Sequence, residues 1–173
     1  MKKEITIVVD DREKKPLAFP STIVFLDPSK MPTHKKQTTI RIHTEKARLT
    51  TADYLLKGDP TVGGIERKGS ISEIAQNCLT NDGRRKFVDC LKRLRDEFSK
   101  PYLLFEGDIH KIQSAKIHIP GPPFNPGIAV DSLMRLTLEY NVPIYLMPCS
   151  TIAQRRATGE WAARLLINTA LMD

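Results

Sequence analysis

The spacing of apolar residues along the chain changes from that of strands to that of helices. Three β-branched, apolar runs come first and predict strands at residues 4–9, 21–26 and 38–43. We expect the first two to pair, and the third, which alternates polar and apolar residues, to lie at a sheet edge. Segments 52–56 and 63–68 flank the turn-forming residues KGDPTV, which predicts a hairpin.

After residue 70 the apolar residues recur with the period of helices, interrupted by two short apolar runs. Helices are predicted around residues 71–78, 87–98, 129–140 and 150–171, and buried strands at 101–107 and 142–148. The last two strands are expected to be parallel neighbours, because a helix lies in the connection between them. This order predicts one α/β domain over residues 1–173, a central mixed β-sheet flanked by helices.

Composition and charge narrow the class of protein. Hydrophobic content of 40% and charged content of 27% are typical of a soluble globular chain. The apolar run before Asp10 is too short for a signal peptide, and no segment approaches the ~20 apolar residues of a membrane span. The three cysteines lack zinc-site spacing, which predicts reduced thiols and a cytoplasmic location. A net charge of +7 favours a polyanionic partner such as nucleic acid.

The hairpin predicts a cluster of charged side chains on one face of the sheet. Residues two apart on a strand share a face, so Glu66 and Lys68 project together while Arg67 points away. If the hairpin is symmetrical about residues 59–60, Asp53 lies directly opposite Glu66. Opposed carboxylates repel each other unless a cation lies between them, and Mg²⁺ prefers oxygen ligands.

Two alternatives to this metal site remain open from the residues alone. The charged residues could form a surface salt-bridge cluster, which is a common and weakly stabilising arrangement. Asp59 is a rival ligand, but it lies at the turn apex, roughly 20 Å from Glu66 at ~3.3 Å per residue. We therefore choose Asp53, with Lys68 positioned to orient or deprotonate a water and to stabilise phosphate charge.

The pattern Asp-x(12)-Glu-x-Lys resembles the PD-(D/E)xK nuclease core, and IERK resembles the Glu-Arg-Lys signature of XPF-type structure-specific nucleases. Four other segments agree in order with that family: VVDDRE (8–13), LTTADY (49–54), GRRKFVDCLKRL (83–94) and YLLFEG (102–107). The resemblance implies a restriction-endonuclease-like fold. It also implies the minimal form of the domain, without the helix-hairpin-helix module that usually follows.

The resemblance also implies roles for individual residues. The metal ligands would be Asp53, Glu66 and Asp10, holding Mg²⁺ or Mn²⁺, with Lys68 and Arg67 completing the catalytic set. Supporting residues would be Arg12, Glu13, Glu73 and Glu106, and residues contacting DNA would be Arg84, Arg85 and Lys86. Structural roles are the alternatives. The last three residues could form a solvated helix face, Arg67 could pair with an acidic neighbour, and Arg12 could form an ion pair with Glu13.

The sequence departs from the family pattern at two positions. Ala52 stands where the family has glycine before its aspartate, which matters only if the backbone needs a positive φ there. Ser72 stands where the family has an aspartate, and the inserted Gly69 makes Glu73 the counterpart.

The expected function is that of a metal-dependent DNA endonuclease that hydrolyses phosphodiester bonds in repair or recombination. Branched, flap or fork DNA and a homodimer are implied by the resemblance. One alternative is a non-catalytic DNA-binding scaffold, and another is a regulatory subunit that contacts a nuclease or helicase through the final helix. Both alternatives predict binding without metal-dependent cleavage.

Overall fold

A seven-stranded mixed sheet with helices on both faces forms the protein, described here over residues 4–26, 37–116 and 125–172 of a computed structural model. The strands are β1 (Glu4–Asp10), β2 (Thr22–Leu26), β3 (Gln37–Ala47), β4 (Tyr54–Leu56), β5 (Gly63–Lys68), β6 (Lys100–Glu106) and β7 (Ile144–Met147). The helices are α1 (Ile71–Leu79), α2 (Asn81–Glu97), α3 (Ile109–Ser114), α4 (Pro126–Glu139) and α5 (Ile152–Leu171). The predicted α/β class is confirmed.

The order of strands in the sheet is β2-β3-β1-β4-β5-β6-β7. β6 and β7 are parallel neighbours, as predicted. The expected pairing of 4–9 with 21–26 is wrong, as is the edge position expected for 38–43. β3 lies between β1 and β2, and Ile40 and Ile42 bury its apolar face there. β1 and β2 are therefore consecutive in the sequence but not paired in the sheet, because β3 pairs with both of them.

The two faces of the sheet pack against different helices. Alternate residues of β4 show this, since Leu55 packs in a core that includes residues of α1, α2 and α4, whereas Tyr54 and Leu56 pack in a core that includes α5. We call these sides the α1/α2 face and the α5 face. Successive residues of a strand point to opposite faces, so each charged residue of β5 can be assigned to one face.

A tight junction joins α1 to α2. Thr80 ends the first helix through its backbone N–H, which donates to Gln76 O, and its hydroxyl accepts from the N–H of Gly83 in the second helix. A Cβ on Gly83 would lie 2.1 Å from Gln76 O, so only glycine fits this approach. The segment TNDG is therefore the cap and first turn of α2 rather than a separate connection.

The other predicted helices differ from the structure mainly at their ends. α4 begins at Pro126, earlier than predicted, where the Asn125 side chain accepts from the Ile128 N–H. α3 was not predicted, and most of the predicted proline-rich loop at 118–127 lies outside the described residues. All three cysteines are free thiols. Within the described ranges, no helix has the length and apolarity needed to cross a membrane.

Candidate active site

A cleft of ≈ 740 Å³ opens where β1 and β5 end. Its walls come from the segment after β1, the residues that precede β4, and the first two helices. The charged residues lining it are Asp10, Arg12, Glu13, Lys14, Asp53, Glu66, Arg67, Lys68, Glu73, Lys86 and Arg93. The cleft thus brings together the site residues that the sequence predicted, except Arg84, Arg85 and Glu106.

The base of the cleft is the β4–β5 hairpin, and its register is the one expected. Tyr54 pairs with Ile65, the pair at which the ladder ends, and Asp53 is the residue immediately before β4. The Asp53 N–H donates to Ile65 O at 2.9 Å, and the Arg67 N–H donates to Asp53 Oδ2 at 2.7 Å. The Asp53 carboxylate is therefore fixed against β5. Asp59 lies in the turn of the hairpin, as predicted.

The backbone immediately before Asp53 has an unusual conformation. Ala52 has a φ of 67° and is buried, so an alanine occupies the left-handed region that glycine adopts without cost. The departure from the family pattern at this position therefore does matter. Alanine in this region carries strain of roughly 1–2 kcal/mol.

Lys68 lies on the α1/α2 face beside two carboxylates. Its Nζ is 2.8 Å from Glu66 Oε1 and 3.3 Å from Glu73 Oε1, and 5.9 Å from the centre of the Phe87 ring. Burial alone would lower the pKa of Lys68, but the nearby carboxylates, Glu66 foremost, raise it above its ordinary value. Lys68 is therefore an ammonium that can stabilise negative charge, and it is poorly suited to deprotonating a water.

The pKa of Asp53 is also raised, but for a carboxyl group this disfavours the charged form. Burial, together with the charge of Glu66, raises the pKa of Asp53 to about 7, even though the Arg67 N–H favours the ionised form. Three carboxylates, of Asp53, Glu66 and Glu73, lie around the single ammonium of Lys68. When Asp53 is ionised, two of these negative charges are uncompensated, which is the amount that one divalent cation carries.

The residues present fit a magnesium-type ion with two protein ligands. The part of the chain that the structure describes contains no group of three His, Cys, Asp or Glu side chains placed to hold a metal. Mg²⁺ usually keeps several waters and takes one or two carboxylates plus substrate phosphates. Asp53 and Glu66 supply that number of carboxylates.

Asp10 does not complete a three-carboxylate set. Its N–H donates to Asp53 O, which places it beside the site, but its carboxylate accepts from Arg12 Nε at 2.9 Å and from the Arg12 N–H at 3.1 Å. Burial would raise the pKa of Asp10, yet the Arg12 hydrogen bonds hold it below its ordinary value. Arg12 thus pairs with Asp10 and not with Glu13, in contrast to the ion pair expected from the sequence.

Arg67 lies on the α5 face, as its position on the strand predicted. Its Nη1 is 2.7 Å from Glu13 Oε2, and its Nε is 2.6 Å from Glu106 Oε1. Its side chain is only 7% exposed. Of the alternatives left open, the structure shows pairing with acidic neighbours, so the Arg67 side chain supports the hairpin and its backbone N–H fixes Asp53.

Sequence reasoning missed Arg155, which completes this buried network. Arg155 Nη1 is 3.3 Å from Glu106 Oε1, while its Nη2 donates to Lys15 O at 2.7 Å and to Pro16 O at 2.9 Å. The residue therefore ties α5 both to the end of β6 and to the segment after β1. No local motif marks it, and only the folded structure brings it close.

Glu73, for which the resemblance predicts a supporting role, lies within reach of Lys68. It lies in the first turn of α1, where its N–H donates to Ser70 Oγ and its Oε2 accepts from the Gly69 N–H. Its Oε1 is the atom that reaches Lys68. The shifted acidic residue thus contacts the site, and Ser72 is exposed.

The three basic residues expected to contact DNA differ in position. Lys86 lines the cleft, whereas the lining residues include neither Arg84 nor Arg85. Both Arg85 and Lys86 pair with Asp82 on the surface of α2, at 2.8 Å and 2.6 Å. Two other cations, Lys14 and Arg93, line the cleft but were not singled out from the sequence.

The fold belongs to the restriction-endonuclease-like α/β class, in agreement with the resemblance. No family model and no curated protein matches the sequence, whereas solved structures match over most of the chain.

Two structures of XPF from Aeropyrum pernix share this fold. One is 19% identical with a TM-score of 0.57, and the alignment covers 92% of this chain and 60% of that chain. The other, in complex with DNA, is 16% identical with a TM-score of 0.54, covering 97% of this chain and 64% of that chain. This chain therefore spans somewhat less than two thirds of the proteins it resembles, and the likeness establishes the fold.

Proposed function

We propose that the protein is a metal-dependent DNA endonuclease that hydrolyses phosphodiester bonds. The observation that carries this proposal is the excess of negative charge at the base of the cleft, where Asp53 and Glu66 are close enough for the charge of Glu66 to raise the pKa of Asp53, beside a protonated Lys68. The fold shared with XPF, one structure of which is in complex with DNA, supports nucleic acid as the substrate.

Asp53 and Glu66 would hold the ion, Mg²⁺ or Mn²⁺, in this site. When bound, such an ion polarises the scissile phosphate and lowers the pKa of a bound water. The Arg67 N–H keeps Asp53 directed towards the cleft, since it binds one carboxylate oxygen. Asp10 supports the site from the neighbouring strand β1, and Arg12 stabilises its ionised carboxylate by donating a hydrogen bond to it.

Lys68 supplies the fixed positive charge of the mechanism. Its pKa is raised, so it stays protonated through the reaction and can donate hydrogen bonds to phosphate oxygens as negative charge develops there. Its ammonium is already positioned by Glu66 and Glu73, which lowers the cost of reorganisation during the reaction. We carry branched, flap or fork DNA, a role in repair or recombination, and a homodimer over from the family resemblance as part of this proposal.

Cleavage of labelled linear, flap and forked DNA in Mg²⁺, Mn²⁺ or EDTA tests the proposal. We expect cutting in either metal, none in EDTA, and a loss of at least roughly 100-fold in Asp53→Asn and Glu66→Gln, equivalent to about 3 kcal/mol of transition-state stabilisation. Asp59→Asn is the matched control, because it removes a carboxylate from the turn of the same hairpin. Its activity should remain close to that of the wild type.

A second readout does not depend on activity. Mg²⁺ that binds only the folded protein should raise the unfolding temperature of the wild type and of Asp59→Asn, but not of Asp53→Asn. DNA binding without cleavage in any metal, together with no Mg²⁺-dependent stabilisation, would contradict the nuclease proposal. The non-catalytic DNA-binding scaffold would then be the better interpretation.

A further inference from the structure

The cations that line the cleft fall into two groups according to their partners. Four of them are bound to carboxylates: Arg12 to Asp10, Arg67 to Glu13 and Glu106, Lys68 to Glu66 and Glu73, and Lys86 to Asp82. The remaining two are Lys14 and Arg93, and among the described residues neither has a carboxylate partner. Both are exposed.

These two residues reach the cleft from different layers of the fold. Lys14 belongs to the segment after β1, which is held on the α5 face because Arg155 binds the next two carbonyls and Leu17 packs in the core of that face. Arg93 belongs to α2, whose neighbouring residues Leu91 and Leu94 are buried in the core of the α1/α2 face. The carboxylates of the hairpin lie in the same cleft, between these two layers.

We propose that Lys14 and Arg93 grip two phosphates of one nucleic acid backbone, on either side of the phosphate presented to Asp53 and Glu66. The inference rests on the proposed function for the identity of the anion. A polyanion approaching the base of the cleft meets carboxylates that repel it, so its affinity must come from cations that are not already neutralised. Lys14 and Arg93 are the cleft-lining cations that meet this condition in the described residues.

The chemistry favours a chain of phosphates over a small anion. A single phosphate at the base of the cleft would approach the carboxylates and Lys68, but it would leave both outer cations without a partner. A backbone with a charge at every nucleotide satisfies both cations and still presents a phosphate between them. Each contact would release counterions, so it would add to the salt dependence of binding.

The test measures binding of labelled forked DNA in EDTA, where no cleavage is expected, between 50 and 200 mM salt. Lys14→Ala and Arg93→Ala should each weaken binding roughly tenfold and reduce the slope of log K against log salt by about 0.9. The matched controls are Lys15→Ala and Lys92→Ala, which remove exposed cations adjacent in sequence that do not line the cleft. We expect each control to change binding by less than about twofold.

The double variant Lys14→Ala/Arg93→Ala sharpens the test. Contacts on separate phosphates should act independently, so the two losses of free energy should add and the slope should change by about twice the single value. Three results would each contradict the proposed phosphate contacts. They are equal effects in the cleft variants and in the controls, an unchanged slope, and no DNA binding by the wild type.

Failure of this inference is distinguishable from failure of the proposed function. Asp53→Asn removes a repelling charge, so in EDTA it should bind DNA at least as tightly as the wild type while losing cleavage in Mg²⁺. If the grip is found but the wild type never cuts, the proposed nuclease fails and the grip stands. If cutting is found without selective effects at Lys14 and Arg93, the grip is wrong and the nuclease stands.

Discussion

The two faces of β5 differ in charge balance, although the residues that form them alternate along one strand. On the α5 face, Arg67 and Arg155 meet Glu13 and Glu106, so two cations balance two carboxylates in a nearly buried network. On the α1/α2 face, the single ammonium of Lys68 lies among three carboxylates.

The difference separates a structural network from a binding site. Balanced buried charges contribute little net stability because desolvation offsets their attraction, but they fix geometry, and losing one partner is costly. An unbalanced cluster opening into a cleft is unfavourable until an outside cation joins it. One face of the strand therefore holds the hairpin in place, and the other is prepared for a ligand.

The largest expected effect is on the balanced face. Arg67→Met removes the cation but keeps much of the side-chain length, leaving the Glu13 carboxylate with only the Lys15 N–H and the Glu106 carboxylate with only Arg155. We expect a loss of about 3–5 kcal/mol in the free energy of unfolding, measured by urea denaturation. Arg67→Lys should lose less, because it keeps the charge. A loss below about 1 kcal/mol would show that water replaces the pairing and that the network does not brace the hairpin.

The unbalanced face should respond with the opposite sign. In EDTA at pH 8, Asp53→Asn should stabilise the protein by up to about 4 kcal/mol, because the folded-state pKa of about 7 lies above the ordinary value of 3.8. The unfolded carboxyl ionises first, so the stability contributed by this group is lost as pH rises from about 4 to 7. The gain should therefore shrink below pH 7 and disappear near pH 4.

Urea denaturation across this pH range checks the sign, with Asp59→Asn as the control that should show no comparable gain. A destabilising Asp53→Asn at pH 8 would mean that the two faces do not differ as described, and that Asp53 is held by a favourable pairing.

The smallest effect concerns the strained backbone that leads into the site. Ala52→Gly relieves the positive φ but removes a buried methyl group worth about 0.8 kcal/mol, so its stability should stay within about 1 kcal/mol of the wild type. The control is Ala75→Gly, equally buried within α1, which should cost about 2 kcal/mol from helix propensity and the lost methyl group. Equal losses, measured by thermal or urea denaturation, would show that position 52 carries no strain.

Sequence reasoning succeeded where local geometry decides the outcome. The turn KGDPTV determines the hairpin register, and the strand period places Glu66 and Lys68 on one face and Arg67 on the other. Asp53 follows the hairpin into the same cleft. The α/β class followed from the order of apolar periods. These features depend on residues fewer than twenty positions apart.

Reasoning failed where distant segments meet. The position of β3 between β1 and β2 depends on contacts made across the whole sheet, where the apolar face of β3 is buried. Arg155 and Lys14 carry no motif, and their roles appear only once α5 and the segment after β1 are in contact. The sequence identified Ala52 as an exception, but the sign of φ at that position depends on how the chain enters the hairpin.

The contacts of Arg155 also bear on the order in which the molecule assembles. They join residues 139 and 140 positions apart, and closing so long a loop costs more chain entropy than closing the β4–β5 hairpin. Contacts between such distant residues tend to form late in folding. We therefore expect Asp53 and Glu66 to come together early and the segment after β1, which carries Lys14, to be immobilised last. Pulsed hydrogen exchange would reveal this order as earlier protection of the Arg67 amide than of the Leu17 amide.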